Sequence, residues 1–272
     1  MKAKHKVVVI TGSSDGIGAE IARQLARKYG PSLALVLAAR NEDALKKVAA
    51  ECKGFGAVSL VVKTDVGMEA NCRHLIDAAV EQFGSIDVLI NNAGKSAQAL
   101  LEEVDNLGWY QELMRINFWG SVWCTHAALP HLKKSRGTIV AVSSLAGLIG
   151  VPGRTAYSAS KFAMGGFFEC LRSEVKEAGV KVTLAYPGVV ATQIRYNGYN
   201  AAGEAAGKSG LKEDDAMSIE ECASLIIRGY ERGDREVVMS FKGKLGRWLK
   251  LIAPGLVEKM AMAALKKEVR PQ

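Results

Sequence analysis

"KVVVITGSSDGIG", residues 6–18, decides the fold. Its first half is apolar at every other position and at the positions between, as expected for a strand buried on both faces. Gly12, Gly16 and Gly18 interrupt it, and from residue 17 the apolar positions recur with a helical period. Strand, glycine turn and helix in that order begin a β-α-β unit, whose next strand must lie parallel to the first.

Five further runs repeat the pattern: "LALVLAA" (33–39), "AVSLVVKT" (57–64), "IDVLINN" (86–92), "GTIVAVSS" (137–144) and "VKVTLAY" (180–186). Helical periodicity fills 17–29, 41–52, 69–83 and 103–134 between them. With right-handed crossovers, this predicts an α/β fold of the Rossmann type: a doubly wound parallel sheet of about seven strands. No linker divides it, so residues 1–240 read as a single domain. Two segments break the alternation. Residues 193–217, rich in Gly, Ala and Asn, follow a strand's carboxyl end, where such sheets bind ligands, and read as a lid. Residues 241–272 form a basic, amphipathic helical tail.

The chain has 272 residues, of which 49% are hydrophobic and 24% charged, enough to bury one large core and too apolar for disorder. Its five cysteines are scattered with no Cys-x-x-Cys, and its four histidines make no ligand-like pair with them. That points to reduced thiols, a cytoplasmic setting and no metal site. The apolar run near the start, Val7 to Ile10, is too short for a secretory signal. No stretch approaches the roughly 18 apolar residues of a membrane span. The net charge is +8, yet residues 241–272 alone hold eight Lys/Arg against two acids. The body is nearly neutral, so the basic balance describes the tail and gives no reason to expect a nucleic-acid partner.

Glycines in "TGSSDGIG" (11–18) permit a tight turn and let backbone N–H groups approach a pyrophosphate at a helix N-terminus. Gly12, Ser14, Gly16, Ile17 and Gly18 are the candidate contacts. The second strand ends "LAARN", with Arg40 and Asn41 where an NAD site commonly holds a carboxylate for the ribose 2′-hydroxyl. A cation there suits a 2′-phosphate and predicts NADP(H). Asp15, inside the loop, weighs mildly against it.

Taken together, these residues resemble the short-chain dehydrogenase/reductase family, over about residues 6–240. The glycine loop fits its cofactor motif. "TDV" supplies Asp65 and Val66 beside the adenine, and "NNAG" supplies Asn92, Ala93 and Gly94. "PGVVAT" supplies Pro187, Gly188, Val190 and Thr192 near the nicotinamide. The family's catalytic positions fall on Asn117, Ser144, Tyr157 and Lys161. "AAR", "VSSLAG" and "YSASKFAMGGFF" look most like NADP(H)-dependent hydroxysteroid dehydrogenases and related orphan reductases, which implies a hydrophobic carbonyl or alcohol substrate.

Tyr157 and Lys161 share a helix face. An ammonium beside a phenol lowers its pKa, so Tyr157 is expected to protonate a carbonyl oxygen, or to deprotonate an alcohol in reverse. Lys161 is expected to hold the cofactor ribose, and Ser144 the substrate oxygen. By resemblance, Asn117 holds a water that links Lys161 to solvent. Two other readings stand beside this one. The first is a redox-silent NADP-binding protein whose tail contacts membrane or partner; the second is epimerisation or dehydration on the same fold.

"FAMGGFFECL" (162–171) is apolar nearly all round, and the family builds dimers and tetramers on this helix, so a homodimer or homotetramer is expected. The tail sets Leu245, Trp248, Leu249, Leu251 and Ile252 among Lys244, Arg247 and Lys250. It either lies in an anionic membrane interface or packs over the substrate pocket.

Overall fold

A computed structural model of the chain describes residues 5–207 and 216–269. Residues 208–215 of the expected lid, and 270–272 of the tail, lie outside the described residues. Seven parallel strands make one sheet: β1 (Lys6–Thr11), β2 (Leu33–Ala39), β3 (Val58–Lys63), β4 (Val88–Asn91), β5 (Thr138–Val142), β6 (Lys181–Tyr186) and β7 (Glu236–Val238), in the order β3-β2-β1-β4-β5-β6-β7. The first six are the runs read from sequence. Strand β7 is three residues long and too short to announce itself.

The continuous apolar strands follow from burial on both faces. Val7 and Val9 of β1 join a core with Leu75, Cys124 and Phe168, while Val8 and Ile10 join another with Ile21, Leu25 and Ile226. Helices α1 (Gly16–Tyr29), α2 (Glu42–Lys53) and α7 (Ile219–Arg232) cover the second face. Helices α3 (Glu69–Phe83), α5 (Gly120–Ser135) and α6 (Thr155–Glu174) cover the first.

The stretch of helical periodicity over 103–134 is divided. Helix α4 (Gly108–Met114) runs into a wider π-helical turn at Arg115–Trp119 before α5 begins. At its end Gly120 packs against the turn after β3 so closely that a Cβ there would lie 2.7 Å from the Val66 carbonyl oxygen. Two helices, α8 (Phe241–Ile252) and α9 (Pro254–Val269), close the chain. The chain reverses winding direction between β1 and β4, and the carboxyl ends of these strands open the crevice in which such sheets bind ligands.

Candidate active site

The glycine loop is braced from three sides. Gly12 takes a positive φ of 65°, and a Cβ on it would come 2.8 Å from the Cα of Ala93. A Cβ on Gly18 would come 2.4 Å from the Gly12 carbonyl oxygen, so the helix can start under the loop only with glycine there. The Asn92 side chain donates to the carbonyls of both Thr11 and Gly12 at 3.0 Å. In return, the Thr11 hydroxyl accepts from the N–H groups of Asn92 and Ala93, each at 3.0 Å. Ser13 accepts from the Ala38 N–H at 2.9 Å, tying the loop to β2. Asp15 caps α1 by accepting from Gly16 N–H at 2.5 Å.

This loop floors a cavity of about 760 Å³ that runs along the carboxyl ends of the strands. Arg40 and Asn41 stand on its rim at the end of β2, Arg40 exposed and Asn41 capping α2 by accepting from Ala44 N–H at 3.0 Å. Asp65 accepts from Gly67 N–H at 2.9 Å, which turns the chain so that Asp65 and Val66 face the same cavity. A backbone cradle that a Cβ would fill, at the N-terminus of α1, fits the pyrophosphate of a nicotinamide dinucleotide.

Ser144 follows β5, where its Oγ accepts from Ala146 N–H at 3.2 Å and starts a single turn at Leu145–Gly147. The neighbouring Ser144 hydroxyl also favours the ionised form of the Tyr157 phenol. Tyr157 and Lys161 lie one turn apart on α6 and are both buried. Burial raises the phenol above its ordinary pKa, opposed by Ser144 and by the positive charges of Arg154 and Arg195. Burial lowers Lys161 to about 8. Its ammonium donates to the Val142 carbonyl at 3.0 Å and lies 5.8 Å from the Tyr157 ring centroid. The sequence-based expectation that Lys161 pulls the phenol toward neutrality is therefore not met in this arrangement. The low polarity that raises Tyr157 also lowers Lys161, and two arginines the sequence reading did not single out carry the acidifying charge.

Asn117 sits in the π-helical turn, fully buried. Its Oδ1 accepts from Lys95 N–H at 2.8 Å, and its Nδ2 donates to the Lys95 carbonyl at 3.0 Å and to Ser160 Oγ at 2.9 Å. Both amide hydrogens are thus engaged by protein, and the residue fixes the main chain at Lys95 from behind Gly94. A Cβ on Gly94 would lie 3.2 Å from Asn117 Oδ1 and 3.5 Å from Lys161 Nζ.

The cavity wall brings together Gly12, Ser14, Gly16, Ile17, Arg40, Asn41, Asp65, Val66, Asn92, Ala93, Gly94, Ser144, Tyr157, Lys161, Pro187, Gly188, Val190 and Thr192. Gly18 and Asn117 are not on that wall and lie behind it as packing and positioning residues. Arg154 and Arg195 were missed. Arg154 precedes Tyr157 by three residues and donates to Gln98 Oε1 at 3.2 Å, and buried Arg195 donates to the Val190 carbonyl at 2.9 Å. Spacing to Tyr157 could have flagged the first, whereas nothing in the sequence places the second. Residues 193–207 of the expected lid are strapped across 96–99: Gln98 N–H donates to the Tyr199 carbonyl at 2.9 Å, and Tyr199 N–H to the Ser96 carbonyl at 3.0 Å. Ile194, Arg195 and Asn197 thereby close one side of the cavity.

A phenol and a serine hydroxyl on one cavity wall, beside a buried lysine and a glycine-floored dinucleotide groove, can move a proton at a carbonyl or alcohol oxygen. A sequence profile described as "short chain dehydrogenase" matches residues 6–202. The chain belongs to the short-chain dehydrogenase/reductase family, a family of oxidoreductases. It is 37% identical over 259 residues to "11-beta-hydroxysteroid dehydrogenase A" of Sesamum indicum, covering 93% of this chain and 73% of that one. It is 34% identical to "Dehydrogenase/reductase SDR family protein 7-like" of Dictyostelium discoideum, covering 97% and 84%. Among solved structures, a short-chain dehydrogenase/reductase from Burkholderia phymatum in complex with NAD aligns with a TM-score of 0.80 at 26% identity, covering 94% of this chain and 96% of that one. An alcohol dehydrogenase from Thermococcus sibiricus complexed with 5-hydroxy-NADP aligns at 0.73 and 28% identity, covering 86% and 96%.

Proposed function

We propose that the chain is an NADP(H)-dependent oxidoreductase that reduces hydrophobic ketones or aldehydes and runs the corresponding alcohol oxidation in reverse. The observation that carries this reading is the convergence of Ser144, Tyr157 and Lys161 on one cavity whose far rim bears Arg40. NADP(H), when bound, supplies or accepts the hydride. Arg40 and Asn41 would receive the 2′-phosphate, and the loop N–H groups from Gly12 to Ile17 the pyrophosphate. Pro187, Gly188, Val190 and Thr192 would hold the nicotinamide end.

Ser144 orients the substrate oxygen, and its hydroxyl offsets the negative charge that grows there during reduction. Tyr157 delivers the proton to that oxygen from its phenol. The positive charges of Arg154 and Arg195 oppose the cost of burying the phenolate left behind. Lys161, lowered to about 8, can exchange a proton near neutral pH and so reload the site. Asn117 holds the chain at Lys95 and keeps Gly94 clear for the ribose. Leu145, Ala146, Val151 and Ile194 line the substrate side, which favours an apolar skeleton. The names of the plant relatives, which call them hydroxysteroid dehydrogenases, agree with that class.

Assembly into a homodimer or homotetramer is part of the same proposal. On the α5–α6 face Trp119 is exposed and stacks on Trp123 at 5.8 Å, and Phe167 packs edge-on against Phe118 at 6.0 Å. Such an aromatic surface suits burial against a second copy.

The test is NADPH and NADH consumption by purified protein across a panel of short and long aldehydes, ketones, quinones and steroids. Turnover confined to NADPH and to apolar carbonyls is expected. Tight NADPH binding with no substrate turned over would support the redox-silent reading instead.

A further inference from the structure

The two closing helices have opposite faces that do different work. On α8, Gly243 and Gly246 lie against the loop after Ser144: a Cβ on Gly243 would come 2.4 Å from Leu145 Cδ2, and one on Gly246 2.6 Å from Ile149 Cδ1. Lys250 donates to the Leu148 carbonyl at 3.2 Å and covers the Phe162 ring at 4.8 Å, while Arg247 pairs with Glu236. On α9, Leu265 reaches Gly153. This inner face therefore sits on 145–153, the segment whose Leu145, Ala146 and Val151 wall the cavity.

The outer face of α8 is a single stripe. Phe241, Leu245, Trp248 and Ile252 recur at helical spacing and are 79%, 53%, 65% and 81% exposed. Helix α9 continues the surface with Leu256 and Met260, also exposed. Lys244 and Lys259 stand exposed in the same two helices. An apolar area of this extent is not left in water without an occupant.

We infer that this α8–α9 surface docks on an anionic lipid membrane, lying in its interface. Charge selects the occupant. Residues 241–272 hold eight basic residues against two acids, so a two-fold contact between copies would set two strongly positive segments against each other. An anionic lipid surface attracts the same segment, and Trp248 in the middle of the stripe is the side chain that settles best at headgroup depth. No described helix is long and apolar enough to cross a membrane, so the contact is with the surface. The tail thus does both things the sequence left open. Its glycine face covers the pocket wall and its aromatic face meets lipid, which places the substrate side of the cavity next to a reservoir of apolar carbonyl compounds.

The test is co-sedimentation of the full chain with vesicles of phosphatidylcholine alone, and of phosphatidylcholine with about one-third phosphatidylserine. Binding to the anionic vesicles only, weakened by salt, is expected. The Trp248→Glu/Ile252→Glu variant should lose roughly a hundredfold in vesicle affinity while keeping its thermal midpoint and NADPH binding. Absence of wild-type binding to anionic vesicles would overturn the inference, as would full vesicle binding by the double variant. So would a variant that loses an oligomer in ultracentrifugation yet still binds vesicles, which would assign the stripe to a second copy. Vesicle binding is read without substrate, so it stands or falls separately from the reductase assignment.

Discussion

The Lys161 ammonium donates to the carbonyl of Val142 at 3.0 Å, and no hydrogen bond joins it to the Tyr157 phenol one helical turn away. The two residues share a niche whose low polarity resists charge on either. This makes Lys161 a stored strain on the fold as well as a functional group. Its pKa falls from 10.5 unfolded to about 8 folded, so between those values the unfolded chain holds more protons and stability rises with pH. Below about 8 the full penalty of the buried charge applies.

Lys161→Met should therefore be more stable than wild type at pH 7, by up to about 3 kcal/mol, while losing turnover. The advantage should shrink as pH climbs from about 8 toward 10.5 and vanish above it. Denaturant melts of both proteins across that range would check the sign. A variant less stable than wild type at pH 7 would mean that the Val142 contact outweighs the burial cost.

Burial raises the Tyr157 phenol, and Arg195, itself buried on the lid segment, is one of the charges that oppose the rise. Alcohol oxidation needs the phenolate, so Arg195→Met should move the rising limb of the rate–pH profile to higher pH, and Arg195→Lys should restore most of it. The profile of kcat is the readout, since a purely structural role would lower the rate without moving the limb.

Arg40 stands exposed at the cavity rim, at the end of β2. Arg40→Asp removes the cation and offers a carboxylate to a ribose hydroxyl. NADPH affinity should fall by roughly 10- to 100-fold, as for loss of a charge-assisted bond, and NADH affinity should rise. Fluorescence titration with both cofactors gives the ratio, and an unchanged ratio would leave Arg40 without this role.

Much of this architecture was legible because burial on both faces writes itself into sequence. Val7 and Val9 serve one core and Val8 and Ile10 the other, so β1 has to be apolar throughout. The glycine loop was legible because backbone crowding at Gly12 and Gly18 admits no side chain. The π-helical turn around Asn117 was not, since widening one turn leaves the apolar spacing of 103–134 nearly intact. Nor was the environment of Tyr157. Arg195 reaches it from a Gly- and Asn-rich loop whose path depends on Tyr199 pairing with Ser96 and Gln98, a contact about a hundred residues away in the chain. The tail's two faces were readable as composition, but which face turned inward depended on Gly243 and Gly246 meeting Leu145 and Ile149.

The central claim is that the buried Tyr157 phenol is the proton donor to a substrate held with NADPH. It is tested most directly by single-turnover oxidation of pre-bound NADPH with a long-chain ketone, in wild type and Tyr157→Phe. The account predicts NADPH affinity nearly unchanged and a chemical step slowed by at least about a hundredfold. A Tyr157→Phe enzyme that oxidises its bound NADPH at the wild-type rate would contradict it.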